Sequence, residues 1–132
     1  NGTVYNTLPV DLKPLIIQKR GQVETKTGAT ASSWSWQSLG YLWLPSEQEV
    51  CGQVINTEVP FGVCLAIQYP IFKDSMRHIG KGAGNGGARA DWWCLSTGAG
   101  SSSSFCIVHR NGFPMTAGAT TSIRVPLCFR IA

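Results

Sequence analysis

The side chains best suited to covalent or acid–base chemistry here are five cysteines and two histidines. The thiols fall at Cys51, Cys64, Cys94, Cys106 and Cys128, with no Cys-x-x-Cys pair and no Cys/His spacing of a zinc site. An odd count leaves at least one thiol free, so the expectation is free, mostly buried cysteines made in a reducing cytoplasm. One bridge among Cys94, Cys106 and Cys128 stays open at this point. No local motif supplies an obvious base to activate a thiol. His78 and His109 have no flanking carboxylate to orient them and are expected as plain surface residues. The run from Gly80 to Gly87, with Lys81, lacks the Gly-Lys-Ser/Thr ending of a phosphate loop and is expected to be a flexible surface loop. No catalytic residue, metal ligand or cofactor is therefore assigned. No Asp/Asn/Glu cluster near the C-terminal end suggests a calcium site either.

Composition narrows the class. A chain of 132 residues makes one domain, residues 1–132, with one sizeable core. Charged residues are only 14%, against about 25% in a usual soluble domain, so Ser, Thr, Gly and Gln must cover much of the surface. The net charge is +4, but the eleven basic residues are scattered and form no run. Nucleic acid is not an expected partner. No apolar stretch approaches the ~18 residues of a membrane span, so membrane insertion is not expected. The chain starts Asn1-Gly2-Thr3, without Met and unlike a signal peptide, which suggests a piece of a longer polypeptide.

The elements that would position these residues follow from local pattern. Thr3 to Tyr5 reads as a short strand. Residues 7–20 read as a helix, with Leu8, Leu12, Leu15 and Ile16 on one face and Pro14 as an objection. Gln22 to Thr27 alternates like a strand, and Gly28 to Gln37 reads as a polar loop anchored by Trp34 and Trp36. Ser46 and Glu49 have the spacing of a capping box that starts a short helix ending near Gly52. Residues 53–66 read as an irregular connection, Lys73 to Ile79 as a short helix, and 80–90 as a loop. Ala90 to Leu95, Phe105 to His109 and Ile123 to Ile131 read as strands, with Trp92 and Trp93 on opposite faces. Asn111-Gly112 signals a hairpin. In the last strand Val125, Leu127, Phe129 and Ile131 would share one buried face, with Pro126 demanding an edge or a bulge.

In order along the chain stand Leu44-Pro45-Ser46-Glu47-x-Glu49-Val50-x-Gly52, Gln68-Tyr69-Pro70-x-Phe72, Trp92-Trp93-x-x-Ser96, Phe105-Cys106-x-Val108-x-x-x-Gly112, Ala119, and Val125-Pro126-x-x-Phe129-x-Ile131. This succession resembles the C-type-lectin-like domains of phage and bacterial proteins diversified by retroelements, and more distantly the formylglycine-generating-enzyme branch of that fold. Leu95-Ser96-Thr97, Cys51 and Arg124 depart from the family's usual residues. The resemblance implies an α+β domain of the C-type-lectin-like fold: two short helices, small antiparallel sheets, long irregular loops, and adjacent termini brought together by pairing of the first and last strands. It also implies a C-terminal variable region.

The expected function is therefore a variable, receptor-recognising ligand-binding domain, carried at the end of a phage tail or a bacterial surface protein. The scaffold residues would be Trp43, Leu44, Trp92, Trp93, Phe105, Val108, Gly112, Val125 and Phe129. The contact positions would be Cys94, Leu95, Thr97, Ser101, Ser103, Ser104, Ile107, His109, Arg110, Thr121, Ile123, Arg124, Pro126 and Cys128. The partner would be a host-cell surface protein or glycan, with room for a homo-oligomer, such as a trimer, assembled through the rest of the longer chain. Two alternatives stand beside this one: a formylglycine-generating-type cysteine oxidase, and a purely structural fibre domain.

Overall fold

The computed structural model describes residues 2–27, 30–57, 68–74, 78, 80–81 and 87–132. These form a mixed α+β arrangement of short helices and small antiparallel sheets. In chain order they are α1 (Gly2–Asn6), a 3-10 turn (Lys13–Leu15), β1 (Ile16–Ile17), β2 (Lys19–Thr27), β3 (Thr30–Gly40), α2 (Glu47–Cys51), a second 3-10 turn (Pro70–Phe72), β4 (Gly80–Lys81), β5 (Arg89–Ala90), β6 (Trp92–Thr97), β7 (Ser104–Val108), β8 (Pro114–Gly118) and β9 (Arg130–Ile131). The ladders are β1–β9, β2–β3, β4–β5 and β6–β7–β8, and all are antiparallel.

The core is built where α2 meets the three-stranded sheet. Val50, Trp92, Cys94, Cys106 and Val108 are buried together, with Cys51 and Phe72 packed against them. Helix α2 starts where the capping box requires it. Ser46 Oγ accepts from the Glu49 N–H at 3.2 Å, and Glu49 Oε2 accepts from the Ser46 N–H at 2.9 Å. It stops at Gly52, whose φ of 76° is left-handed. A Cβ there would also lie 2.9 Å from Gln68 Oε1. That glycine lets Gln68 come close enough to donate to the Val50 and Phe72 carbonyls, joining the helix end to the second 3-10 turn.

Several expectations fail for identifiable reasons. Residues 3–5 are helical, within α1, and not a strand. Residues 7–20 are not one helix. Pro9 and Pro14 each lack an N–H and crowd the preceding turn, so the segment breaks into turns, a three-residue 3-10 element, and extended chain from Ile16 onward. Pairing then takes over: Ile16 and Ile17 join Ile131 and Arg130, and Lys19 joins Gly40. Pairing likewise turns the Ser-rich stretch after Ala29 from an expected loop into the eleven-residue strand β3. The Lys73–Ile79 helix and most of the Gly80–Gly87 loop lie outside the described residues, though Gly80–Lys81 pairs with Arg89–Ala90.

The Asn111-Gly112 hairpin forms between β7 and β8. Gly112 donates to the His109 carbonyl at 2.7 Å, and His109 N–H donates to the Phe113 carbonyl at 2.8 Å. Only Gly112 has positive φ, 90°, so the connection is a three-residue loop rather than a two-residue type I′ turn.

The segment from Ile123 to Ile131 is not a continuous strand. Arg124 makes an isolated parallel bridge to Trp92, Cys128 an antiparallel bridge to Trp43, and only Arg130–Ile131 enters a ladder. The chain changes neighbour every few residues, and Pro126 has no N–H for a continuous ladder. The alternation survives on the opposite face: Val125, Leu127, Phe129 and Ile131 are 58, 45, 40 and 52% exposed, while Pro126 and Cys128 are half-buried. Val125 and Phe129 are therefore not core posts. Phe105, at 37% exposure, also faces outward, edge-on to Trp93. The last strand pairs with Ile16–Ile17 and not with the expected first strand Thr3–Tyr5, which is helical: β1 meets β9, and Ala132 N–H donates to the Leu15 carbonyl at 2.9 Å.

Candidate functional site

Twelve of the fourteen candidate contact positions fall into four places. Cys94 and Ile107 are 3% and 4% exposed and belong to the interior: alternation puts Cys94 on the core face with Trp92, while Ile107 pairs with Trp93 on the other face of the sheet. Leu95 and Cys128 line a cavity beneath α2. Ser101, Ser103, Ser104 and Thr121 gather at one end of the β6–β7–β8 sheet, where Ser103 accepts from the Ala119 N–H, Gly118 accepts from the Thr121 N–H, and Ser104 pairs with Gly118. His109, Arg110, Ile123 and Arg124 gather at the other end. Thr97 and Pro126 are half-buried and join neither cluster.

The second end is organised by Asp91, which was not among the candidates. Its Oδ1 accepts the Arg110 N–H at 2.8 Å and lies 3.9 Å from His109 Nε2. Its carbonyl accepts the Arg124 N–H at 3.3 Å, and the Arg124 carbonyl accepts from Trp93 N–H at 2.9 Å. The His109 ring lies parallel to Phe113, with centroids 6.3 Å apart. Phe113 is exposed, as are the Arg110 and Arg124 side chains. The result is two exposed arginines, one imidazole and one aromatic ring on backbone held together by Asp91.

Histidine 78 is not a surface residue. It is buried, its Nε2 lies 2.6 Å from the Phe72 carbonyl, its own carbonyl accepts from Trp92 Nε1 at 2.9 Å, and its ring meets Phe72 edge-on. These contacts seat the Trp92 indole against Phe72 in the core.

The four described cysteines are free thiols. Burial pushes the Cys51 thiol up to about 11, with the Glu47 carboxylate adding to it. Burial also raises Cys94 and Cys128. A catalytic cysteine needs the opposite shift. Among the described residues, no cluster of His, Cys, Asp and Glu could hold a metal ion.

The cavity beneath α2 has a volume of about 810 Å³. Trp36, Leu39, Trp43, Phe72, Leu127 and Phe129 supply apolar walls. In its wall Lys19 Nζ reaches both Glu49 Oε1 and the Tyr69 hydroxyl, and that hydroxyl also donates to Glu49 Oε1 at 2.9 Å. The ammonium sits 5.2 Å from the Trp43 ring centre and 5.1 Å from the Tyr69 ring centre. Burial pulls the Lys19 pKa down, but the bonds to Glu49 and Tyr69 outweigh it, and the net shift is upward. Burial raises Tyr69. The Trp43 indole lies near enough to the Tyr69 hydroxyl to oppose that rise, without a hydrogen bond of ordinary geometry. These residues, from positions 19, 43, 49 and 69, escape sequence reading because nothing local links them.

Glu47, 1% exposed, serves structure. Its carboxylate accepts from the Ile55, Asn56 and Thr57 N–H groups and from Asn56 Nδ2, which binds the loop after α2 to the helix. Its own N–H donates to Ser96 Oγ at 2.9 Å, and Leu95 N–H donates to the Pro45 carbonyl, locking α2 onto β6.

Comparison of the chain with protein-family models, curated proteins and solved structures finds no match.

Proposed function

We propose that this domain is a ligand-binding module of C-type-lectin-like architecture, and that it recognises a surface protein or glycan through the cluster around Asp91. One observation carries the reading: His109, Arg110, Ile123 and Arg124 come from two separate segments and meet at one exposed end of a rigid sheet. Beneath them, Val108 and Trp92 are buried and α2 is doubly capped, so side chains at the rim can differ without disturbing the frame. The β1–β9 pairing supports the lectin-like architecture. Exposed arginine beside an aromatic ring is a combination enriched at recognition hot spots. Display on a virion or a bacterial surface in several copies would convert modest single-site affinity into avidity. The raised thiols favour binding over cysteine oxidation.

The test is binding of the domain, tetramerised on streptavidin, to arrays of glycans and of bacterial surface proteins. Saturable binding is expected, with the double variant Arg110→Ala/Arg124→Ala losing at least roughly tenfold in affinity while its melting temperature holds. No ligand on either array, or a ligand indifferent to that double variant, overturns the reading.

A further inference from the structure

The cavity beneath α2 lies apart from the Asp91 cluster and carries a separate chemistry. Its volume of about 810 Å³ falls in the range of small-molecule sites, roughly 300–1,000 Å³. Its walls are largely aromatic and aliphatic, but the charge around it is lopsided. Lys19, Arg20 and Arg130 line it against a single carboxylate, Glu49. Lys19 is already neutralised by Glu49. Arg20 and Arg130 are exposed and make no ion pair among the described residues.

We propose that this cavity binds a small amphipathic anion: a flat apolar body carrying one carboxylate, sulfonate or phosphate group. The body lies against Trp43, Leu127 and Phe129. The anionic group sits at the mouth between Arg20 and Arg130. Lys19 does not hold the anion, because its charge is committed to Glu49 and two ring faces; it shapes the wall.

The probe is 8-anilinonaphthalene-1-sulfonate, compared with N-phenyl-1-naphthylamine, which has the same aromatic body without the charge. Both are titrated into the native domain in reducing buffer, and dye fluorescence and tryptophan quenching are recorded. Saturable one-to-one binding of the sulfonate is expected, weakened by salt, with the neutral dye binding several-fold more weakly. The double variant Arg20→Gln/Arg130→Gln should weaken the sulfonate by roughly three- to tenfold and leave the neutral dye unchanged. Both arginines are exposed, so near-ultraviolet circular dichroism should match the parent. Equal binding of the two dyes, no saturable binding, or a sulfonate affinity indifferent to the arginine variant overturns the proposal. The Asp91 reading rests on Arg110 and Arg124, so either can fail without the other.

Discussion

Strand β7 and the segment after Thr121 are both rich in apolar residues, yet the fold treats them oppositely. Cys106, Ile107 and Val108 are at most 4% exposed; Val125, Leu127, Phe129 and Ile131 are all at least 40% exposed. The difference lies in partners. β7 is the central strand of its sheet, hydrogen-bonded on both edges by β6 and β8, and α2 and Phe72 cover the core it joins. The terminal segment touches β6 once, Trp43 once and β1 over two residues, so nothing covers its apolar side continuously. Alternation tells which residues share a face; the neighbours decide which face is interior.

The contrast makes the frame brittle and the terminal segment tolerant, and it can be broken at the frame first. Glu47→Ala strips the acceptor from the Ile55, Asn56 and Thr57 amides at once and should lower unfolding free energy by about 3–5 kcal/mol in urea titration. A loss below about 1 kcal/mol would mean those amides find other partners. Next comes a matched pair. Val108→Ala, at a site with no exposure, should cost about 2–3 kcal/mol, whereas Val125→Ala should stay within about 0.5 kcal/mol. Equal losses would erase the distinction between the two regions.

Alkaline titration probes the same divide through the thiols. Cys51 is raised from 9.0 to about 11 by burial, and Cys94 and Cys128 are raised as well. Above pH 9 the unfolded chain releases thiol protons that the folded chain keeps, so ionisation favours unfolding. The stability these thiols contribute is complete below pH 9 and is lost as pH climbs through the folded values, for Cys51 across roughly pH 9–11. Denaturant midpoints measured under reducing conditions should fall over that window, and Cys94→Ala should flatten the fall. The smallest of the frame effects belongs to Ser46→Ala, which removes one cap bond and should cost about 1 kcal/mol by thermal melt.

What could be read from the chain in advance was local. The capping box depends on residues three apart, and the Asn111-Gly112 hairpin on adjacent ones, so both were visible. Strand β8, Pro114-Met115-Thr116-Ala117-Gly118, carries little strand propensity and exists because β7 offers it an edge. The β3 stretch looked like a loop for the same reason. Of the proposed site, the resemblance put His109, Arg110 and Arg124 among the contact positions. Their convergence on Asp91 was not legible, since 18 to 33 positions of chain separate them from Asp91 in ways no spacing rule encodes. The Lys19–Glu49–Tyr69 network spans 50 residues and left no trace in sequence.

The β1–β9 ladder also has a mechanical consequence. Ile16 faces Ile131 and Ile17 faces Arg130, so the chain enters and leaves at the same end of a two-rung antiparallel ribbon. Tension applied through residues 15 and 132 loads those rungs one after another, as a zipper, and not together in shear. The ribbon would peel first under a pull, while the α2–β6–β7 body, outside that line of force, keeps its shape.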